Sequence, residues 1–219
     1  MPVRGEVMIL VGLTGGIGSG KSVVSSQLAT HGAIIVDADA IVRDLQRPGQ
    51  PVLSAIIERF GAEVLAESGH LDRAALAGKV FSNAEALAAL NRIVHPAVGV
   101  EMMRRIDAQR NSQRVVVLDV PLLAESPRVG LGGVLVVDLD PAIAVQRLVE
   151  QRGLSAQDAQ ARIAKQATRQ QRRAIADWII DNSGSRLELA RQVGAAWQWM
   201  CSLPPAAPDA GRLVRSANS

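Results

Sequence analysis

The sequence predicts an α/β fold, a five-stranded parallel sheet flanked by helices. Two observations carry that expectation. Short apolar runs at 7–13, 33–37, 114–120, 133–139 and, more faintly, 177–181 are rich in Val, Ile and Leu with little alternation. That pattern suits strands covered on both faces. Helix-period segments at 21–31, 74–111, 142–152, 155–176 and 186–201 separate them. Strands alternating with helices imply βαβ units.

The first strand leads into the densest motif of the chain. Gly15-Gly16-Ile17-Gly18-Ser19-Gly20-Lys21-Ser22 satisfies G-x-x-x-x-G-K-[ST] between an apolar run and a helical pattern, which is the context the motif requires. Glycines let successive backbone N–H groups turn inward onto phosphate oxygens. The next helix adds its positive N-terminal end. Lys21 would reach the β- and γ-phosphates of ATP and the Ser22 hydroxyl would ligate Mg²⁺. A dinucleotide G-x-G-x-x-G reading fails, because Lys21 or Val23 falls where the third Gly belongs.

The reaction class follows from what accompanies this loop. A GTPase would need N-K-x-D, which is missing, and the single D-x-x-G, Asp181-Asn182-Ser183-Gly184, stands too late in the chain for a guanine-reading segment to follow. A kinase needs a carboxylate beside the acceptor and a lid against water. Asp37-Ala38-Asp39 ends the second run, and ligands of open parallel sheets bind outside the carboxyl ends of strands. Either Asp could accept the acceptor's proton, and either could instead cap the next helix. The third run ends Asp119-Val120-Pro121-Leu122-Leu123, so Asp119 is placed to hold Mg²⁺ directly or through water. Arg162, Gln166, Arg169 and Arg173 recur on one face of the 155–176 pattern. That face reads as a lid over the triphosphate or as a solvated basic surface. Arg152, just before the Gly153 break, is better placed to swing with a lid.

The expected organisation is a P-loop kinase domain over 1–202. Its core comprises 7–45, 112–140 and 177–202, with a helical acceptor-binding insertion at about 46–111 and a helical lid at about 141–176. The insertion contains Pro48, Pro51, Gly61, Gly69 and Pro96 and is too long for a plain crossover. From Leu203 the chain is rich in Pro and Ala with no apolar period, so 203–219 is expected to be a disordered tail. Net charge is +3 and aromatic residues are 2%, which does not call for nucleic acid. Cys201 is the single cysteine, so no intrachain disulfide forms and a reducing compartment is favoured. No stretch has the plan of a signal peptide or a membrane span, and a cytoplasmic monomer is expected.

Several segments resemble the dephospho-CoA kinase family. They are Leu13 to Ser22, Asp37-Ala38-Asp39 with Arg43, and Pro48-Gly49. Leu71-x-Arg73-x-x-Leu76 with Phe81, His95-Pro96 and Asp119-Val120-Pro121-Leu122-Leu123-x-Glu125 follow in the family's order. Arg162-Ile163-x-x-Gln166 and Ala176-Asp177 leading to Asn182-x-Gly184 complete the series. The resemblance covers roughly residues 7–200 and implies ATP-dependent phosphorylation of the ribose 3′-hydroxyl of dephospho-CoA. It implies that Asp39 is the base, Lys21 the phosphate lysine and Arg152 a lid arginine. It implies that Asn182 and Gly184 border the adenine. Asp37, Asp39, Arg43, Arg73, His95, Pro121 and Leu122 would contact the acceptor. Val23 departs from the family, many of whose members carry Thr there. The residues alone leave two other readings open: a kinase for a nucleoside, nucleotide or shikimate-like acceptor, and a nucleotide-gated interaction protein using the Arg-rich helix.

Overall fold

A computed structural model describes residues 7–81 and 83–214. The chain divides into two compact units. One takes the residues up to Val36 and from Ile106 onward; the other is Asp37–Arg105.

The first unit holds the sheet. Its strands are β1 (Ile9–Gly15), β2 (Ile34–Asp37), β3 (Val115–Asp119), β4 (Gly133–Asp138) and β5 (Trp178–Asp181). They lie in the order β2-β3-β1-β4-β5. β1 pairs in parallel with β3, Leu13 opposite Asp119, and with β4, Gly15 opposite Val137. β4 pairs in parallel with β5, Asp138 opposite Asp181. Strands 2 and 3 lie on one side of β1 and strands 4 and 5 on the other. The strand order thus reverses around β1, where open α/β sheets bind ligands.

Continuous apolar strands need cover on both faces. Helices α1 (Lys21–Thr30) and α9 (Arg186–Ser202) pack together. With the sheet they enclose Val11, Leu13, Leu28, Val117, Leu135 and Met200. Indole rings finish this layer: Trp178 stacks on Trp199 and His31 on Trp197. Helices α6 (Pro141–Arg152), α7 (Ala156–Ala164) and α8 (Arg169–Ala174) follow β4.

The second unit is helical: α2 (Ala38–Leu45), α3 (Pro51–Phe60), a 3₁₀ turn (Ala62–Val64) and α4 (Arg73–Val80). Most of α5 (Ala84–Asp107) belongs to it, to Arg105. Pro51 opens α3 at its first turn, where its missing N–H costs nothing. The core here is Val52, Leu53, Ile56, Phe60, Val64 and Leu71.

Three expectations need correction. The insertion expected at about 46–111 is, as a compact unit, Asp37–Arg105, because α2 belongs with the helices that follow it. The single helical pattern at 155–176 is broken: α7 ends at Ala164 and Thr168 starts α8 with a capping box to Gln171. Arg162 therefore does not share a continuous helix with Arg169 and Arg173. The tail expected to be disordered from Leu203 is laid on the core as far as residue 214. Ala206 N–H donates to the Met8 carbonyl and Gly211 N–H to that of Val129, both at 2.9 Å. Arg128 and Leu213 form an antiparallel bridge, and Ala210 is fully buried. Residues 215–219 lie outside the described chain.

Candidate active site

β1 delivers the chain into the glycine-rich loop, and the loop turns into α1 through two left-handed glycines, Gly18 at φ 78° and Gly20 at φ 84°. The turn is closed by Ser19 N–H on the Gly16 carbonyl at 3.0 Å. A side chain at Gly20 would strike the Asn182 amide, and one at Gly16 would meet the Arg172 guanidinium at 2.7 Å. The Ser19 hydroxyl is buried with no hydrogen-bond partner. Turned N–H groups and close packing without Cβ atoms make a cradle that fits a polyphosphate.

Lys21 opens α1 and its ammonium is ion-paired with the Asp119 carboxylate. Asp119 stands at the end of β3, opposite Leu13, and is 2% exposed. Ser22 and Val23 are exposed on the first turn. The Thr14 hydroxyl donates to the Pro121 carbonyl at 3.0 Å, fixing the turn after β3, while Leu122 is exposed. Asn182, 8% exposed after β5, donates from Nδ2 to the Ser19 carbonyl at 2.7 Å. Arg147 donates to the Asn182 carbonyl at 2.8 Å. Gly184 lies next to the Ser185 cap of α9. Ser22 and Asp119 are hard oxygen donors, the set Mg²⁺ takes together with phosphate oxygens and water. Among the described residues no group of three or more His, Cys, Asp or Glu side chains gathers as a metal site.

Past α7 the chain returns to the loop. Ile17 N–H donates to Gln166 Oε1 at 2.8 Å, and Ala167 N–H to Glu125 Oε1 at 2.7 Å. Arg169 donates to both Asp138 oxygens at 2.8–3.1 Å and to Asp140 at 3.1 Å. Arg173 reaches Asp138 at 2.5 Å. Burial raises the Asp138 carboxyl, but the Arg169 and Arg173 hydrogen bonds outweigh it and hold the group below the usual carboxylate range. Arg172 is buried beside Gly16 and bonds the Ala167 carbonyl. Burial pushes its guanidinium below the usual value, against the pull of Glu125 and Asp138. Arg169 and Arg173 of α8 thus share Asp138 as an acidic partner. Arg152 is exposed in the last turn of α6, before Gly153 at φ 64°.

The remaining predicted residues belong to the helical unit. Asp37 caps α2, its Oδ1 accepting from Asp39 N–H at 2.8 Å and Ala40 N–H at 3.1 Å. Arg43 stands 3.7 Å from Asp37. Asp39 is exposed in the first turn of α2, Arg73 exposed at the start of α4, and His95 exposed on α5.

The sequence alone assigns no role to Asp138 or Arg172, and Glu125 enters only as the last residue of the family motif that begins at Asp119. Asp138 could have been found by the rule that singled out Asp119, a carboxylate at the carboxyl end of a strand. Arg172 has no comparable local signal, because Gly16, against which it packs, lies far along the chain.

Comparison with known proteins shows the family. The family model described as Dephospho-CoA kinase matches residues 9–188. The dephospho-CoA kinase of Streptomyces avermitilis is 50% identical over 87% of this chain and 93% of its own. That of Thermobifida fusca is 48% identical over 87% and 96%. A solved structure from Thermus thermophilus, 33% identical, superposes with a TM-score of 0.74 over 88% of this chain and 97% of its own. With the family model spanning the loop, both units and the start of α9, the chain belongs to the dephospho-CoA kinase family.

Proposed function

We infer that the protein transfers the γ-phosphoryl group of ATP to the ribose 3′-hydroxyl of dephospho-CoA, giving CoA and ADP. The single observation that carries this is the family match over 9–188, which takes in the phosphate loop and the whole helical unit.

The roles we assign follow from chemistry. Backbone N–H groups of residues 15–23 hold the phosphates, and Lys21 neutralises the oxygens on which charge shifts during transfer. To do so Lys21 exchanges the Asp119 carboxylate for phosphate oxygens. Mg²⁺, held by Ser22 and Asp119, would supply charge neutralisation across the phosphates. Asp39 accepts the proton of the acceptor hydroxyl; Asp37, already spent on two α2 amides, serves as its scaffold and as an acceptor contact. Arg43, Arg73, His95, Pro121 and Leu122 contact dephospho-CoA, Asn182 and Gly184 border the adenine, and Arg152 moves with the lid. Among the described residues no helix is long and apolar enough to cross a membrane. We take the working form as a cytoplasmic monomer that binds no nucleic acid, which sedimentation checks.

The deciding experiment is an ADP-release assay with dephospho-CoA, adenosine, AMP and shikimate as acceptors. Turnover confined to dephospho-CoA is expected. Faster turnover with any of the others would replace the acceptor.

A further inference from the structure

We propose that Gln166 is a positioning residue that couples the lid segment to the phosphate loop. It lies in the link between α7 and α8 and accepts from Ile17 N–H at 2.8 Å, across 149 residues of sequence. Ile17 sits in the middle of the loop. Gln166 also lines the cleft formed by Gly16, Ser19, Ala144 and Arg172.

Three further ties hold the chain just after Gln166. Ala167 N–H is on Glu125, the Ala167 carbonyl is on Arg172, and Arg169 and Arg173 are on Asp138. The Asp138 bonds anchor α8 to the end of β4, the Glu125 bond ties Ala167 to the turn after β3, and the Arg172 bond stays within the segment. The Gln166 bond is different, because it is a hydrogen bond to a backbone N–H of the loop itself, whereas Arg172 only packs beside Gly16. Through it a change in the loop is passed to the end of α7, and the end of α7 restrains the loop.

The choice of an amide has a physical reason. A carboxylate at 166 would make a stronger, charge-assisted bond to Ile17 N–H. It would also set a negative charge in the cleft beside the loop, where it would repel phosphate oxygens. Glutamine keeps the acceptor and omits the charge. Because its oxygen faces Ile17, its NH₂ group is left to turn elsewhere.

This inference rests on the loop being a nucleotide site, so ATP binding to the wild-type protein is measured first, by titration calorimetry without acceptor. Gln166→Glu retains the Ile17 bond and should weaken ATP binding on the order of tenfold or more, with an unchanged melting temperature. Gln166→Ala removes the bond without adding charge. It should lower kcat and raise ATP hydrolysed per CoA formed, since a loosened lid admits water. A merely structural glutamine would move the melting temperature and leave the hydrolysis-to-transfer ratio alone. The proposal is overturned if Gln166→Ala keeps the wild-type ratio, or if Gln166→Glu binds ATP as tightly as the wild type. No ATP binding by the wild type would overturn the nucleotide reading instead. Should Gln166→Ala fail to fold, the isosteric Gln166→Glu decides.

Discussion

The unit that carries the sheet buries charge, with Asp119 2% exposed, Asp138 3% and Arg172 9%, whereas the one deeply buried polar side chain described in the helical unit is Gln46, at 8%. Charges of the helical unit stay near water: Glu101 holds Arg104 and Arg105, and Arg105 reaches on to Asp44 of α2 at 3.0 Å. Burying an ion is costly unless it is paired and hydrogen-bonded. Such costs are tolerated where charge must be aimed, and in this chain they gather around the glycine-rich loop. The helical unit needs only an apolar interior and a solvated surface on which to present side chains. Both units have packed apolar interiors, and the sheet unit adds buried charge to its own.

The comparison is sharpened first by Asp39→Asn. If the helical unit supplies the base, kcat should fall by about 10²–10⁴-fold with a much smaller change in the KM for ATP. Wild-type kcat would reduce Asp39 to a residue of the α2 first turn, and an equal loss in Asp37→Asn would show that the cap matters as much. Lys21→Ala should lower kcat by about 10²–10³-fold while circular dichroism still reports a folded chain. Near-wild-type turnover would take the phosphate role from Lys21.

Two substitutions contrast the interiors. Ile56→Ala opens a cavity in a fully buried site of the helical unit and should cost about 2–5 kcal/mol, read from urea unfolding. Asp138→Asn removes charged hydrogen bonds from two arginines that keep some access to water and should cost about 1.5–3 kcal/mol. Its more telling effect is on α8, whose amides should exchange faster; unchanged exchange would mean that Asp138 is not an anchor.

The smallest effect is acid sensitivity in the helical unit. Hydrogen bonds from Arg104 and then Arg105 lower the Glu101 carboxyl from 4.5 to about 2. Its folded value is depressed, so the stabilisation is complete above pH 4.5 and is lost as pH falls towards about 2. Glu101→Gln should flatten that part of the stability profile by a few tenths of a kcal/mol, up to about 1.

The strands were legible because buried parallel strands write themselves as apolar runs, and the phosphate loop because its spacing is chemically narrow. Asp119 was legible from its place at the end of a run. What escaped was set by partners distant in sequence. The stop between α7 and α8 contains neither Pro nor Gly, and its only local sign is Thr168 with Gln171 three residues on. The docking of 203–214 rests on backbone hydrogen bonds, on Arg110 and Arg128 donating to its carbonyls, and on Ala206 and Ala210, side chains too small to leave an apolar signature. The α2 boundary was missed because Asp37 ends a strand and caps a helix at once.

The stacked indoles of the sheet unit have an optical consequence. Trp178, Trp197 and Trp199 are the only tryptophans, and the chain has no tyrosine. All three stand in the unit of the sheet and α9. Intrinsic fluorescence therefore watches that unit and is blind to the helices of Asp37–Arg105, whose aromatic rings are those of Phe60, Phe81, His70 and His95. A melt followed by emission alone reports the unit of the sheet and the glycine-rich loop. Motions of the helical unit become visible to light only through an indole placed there by mutation.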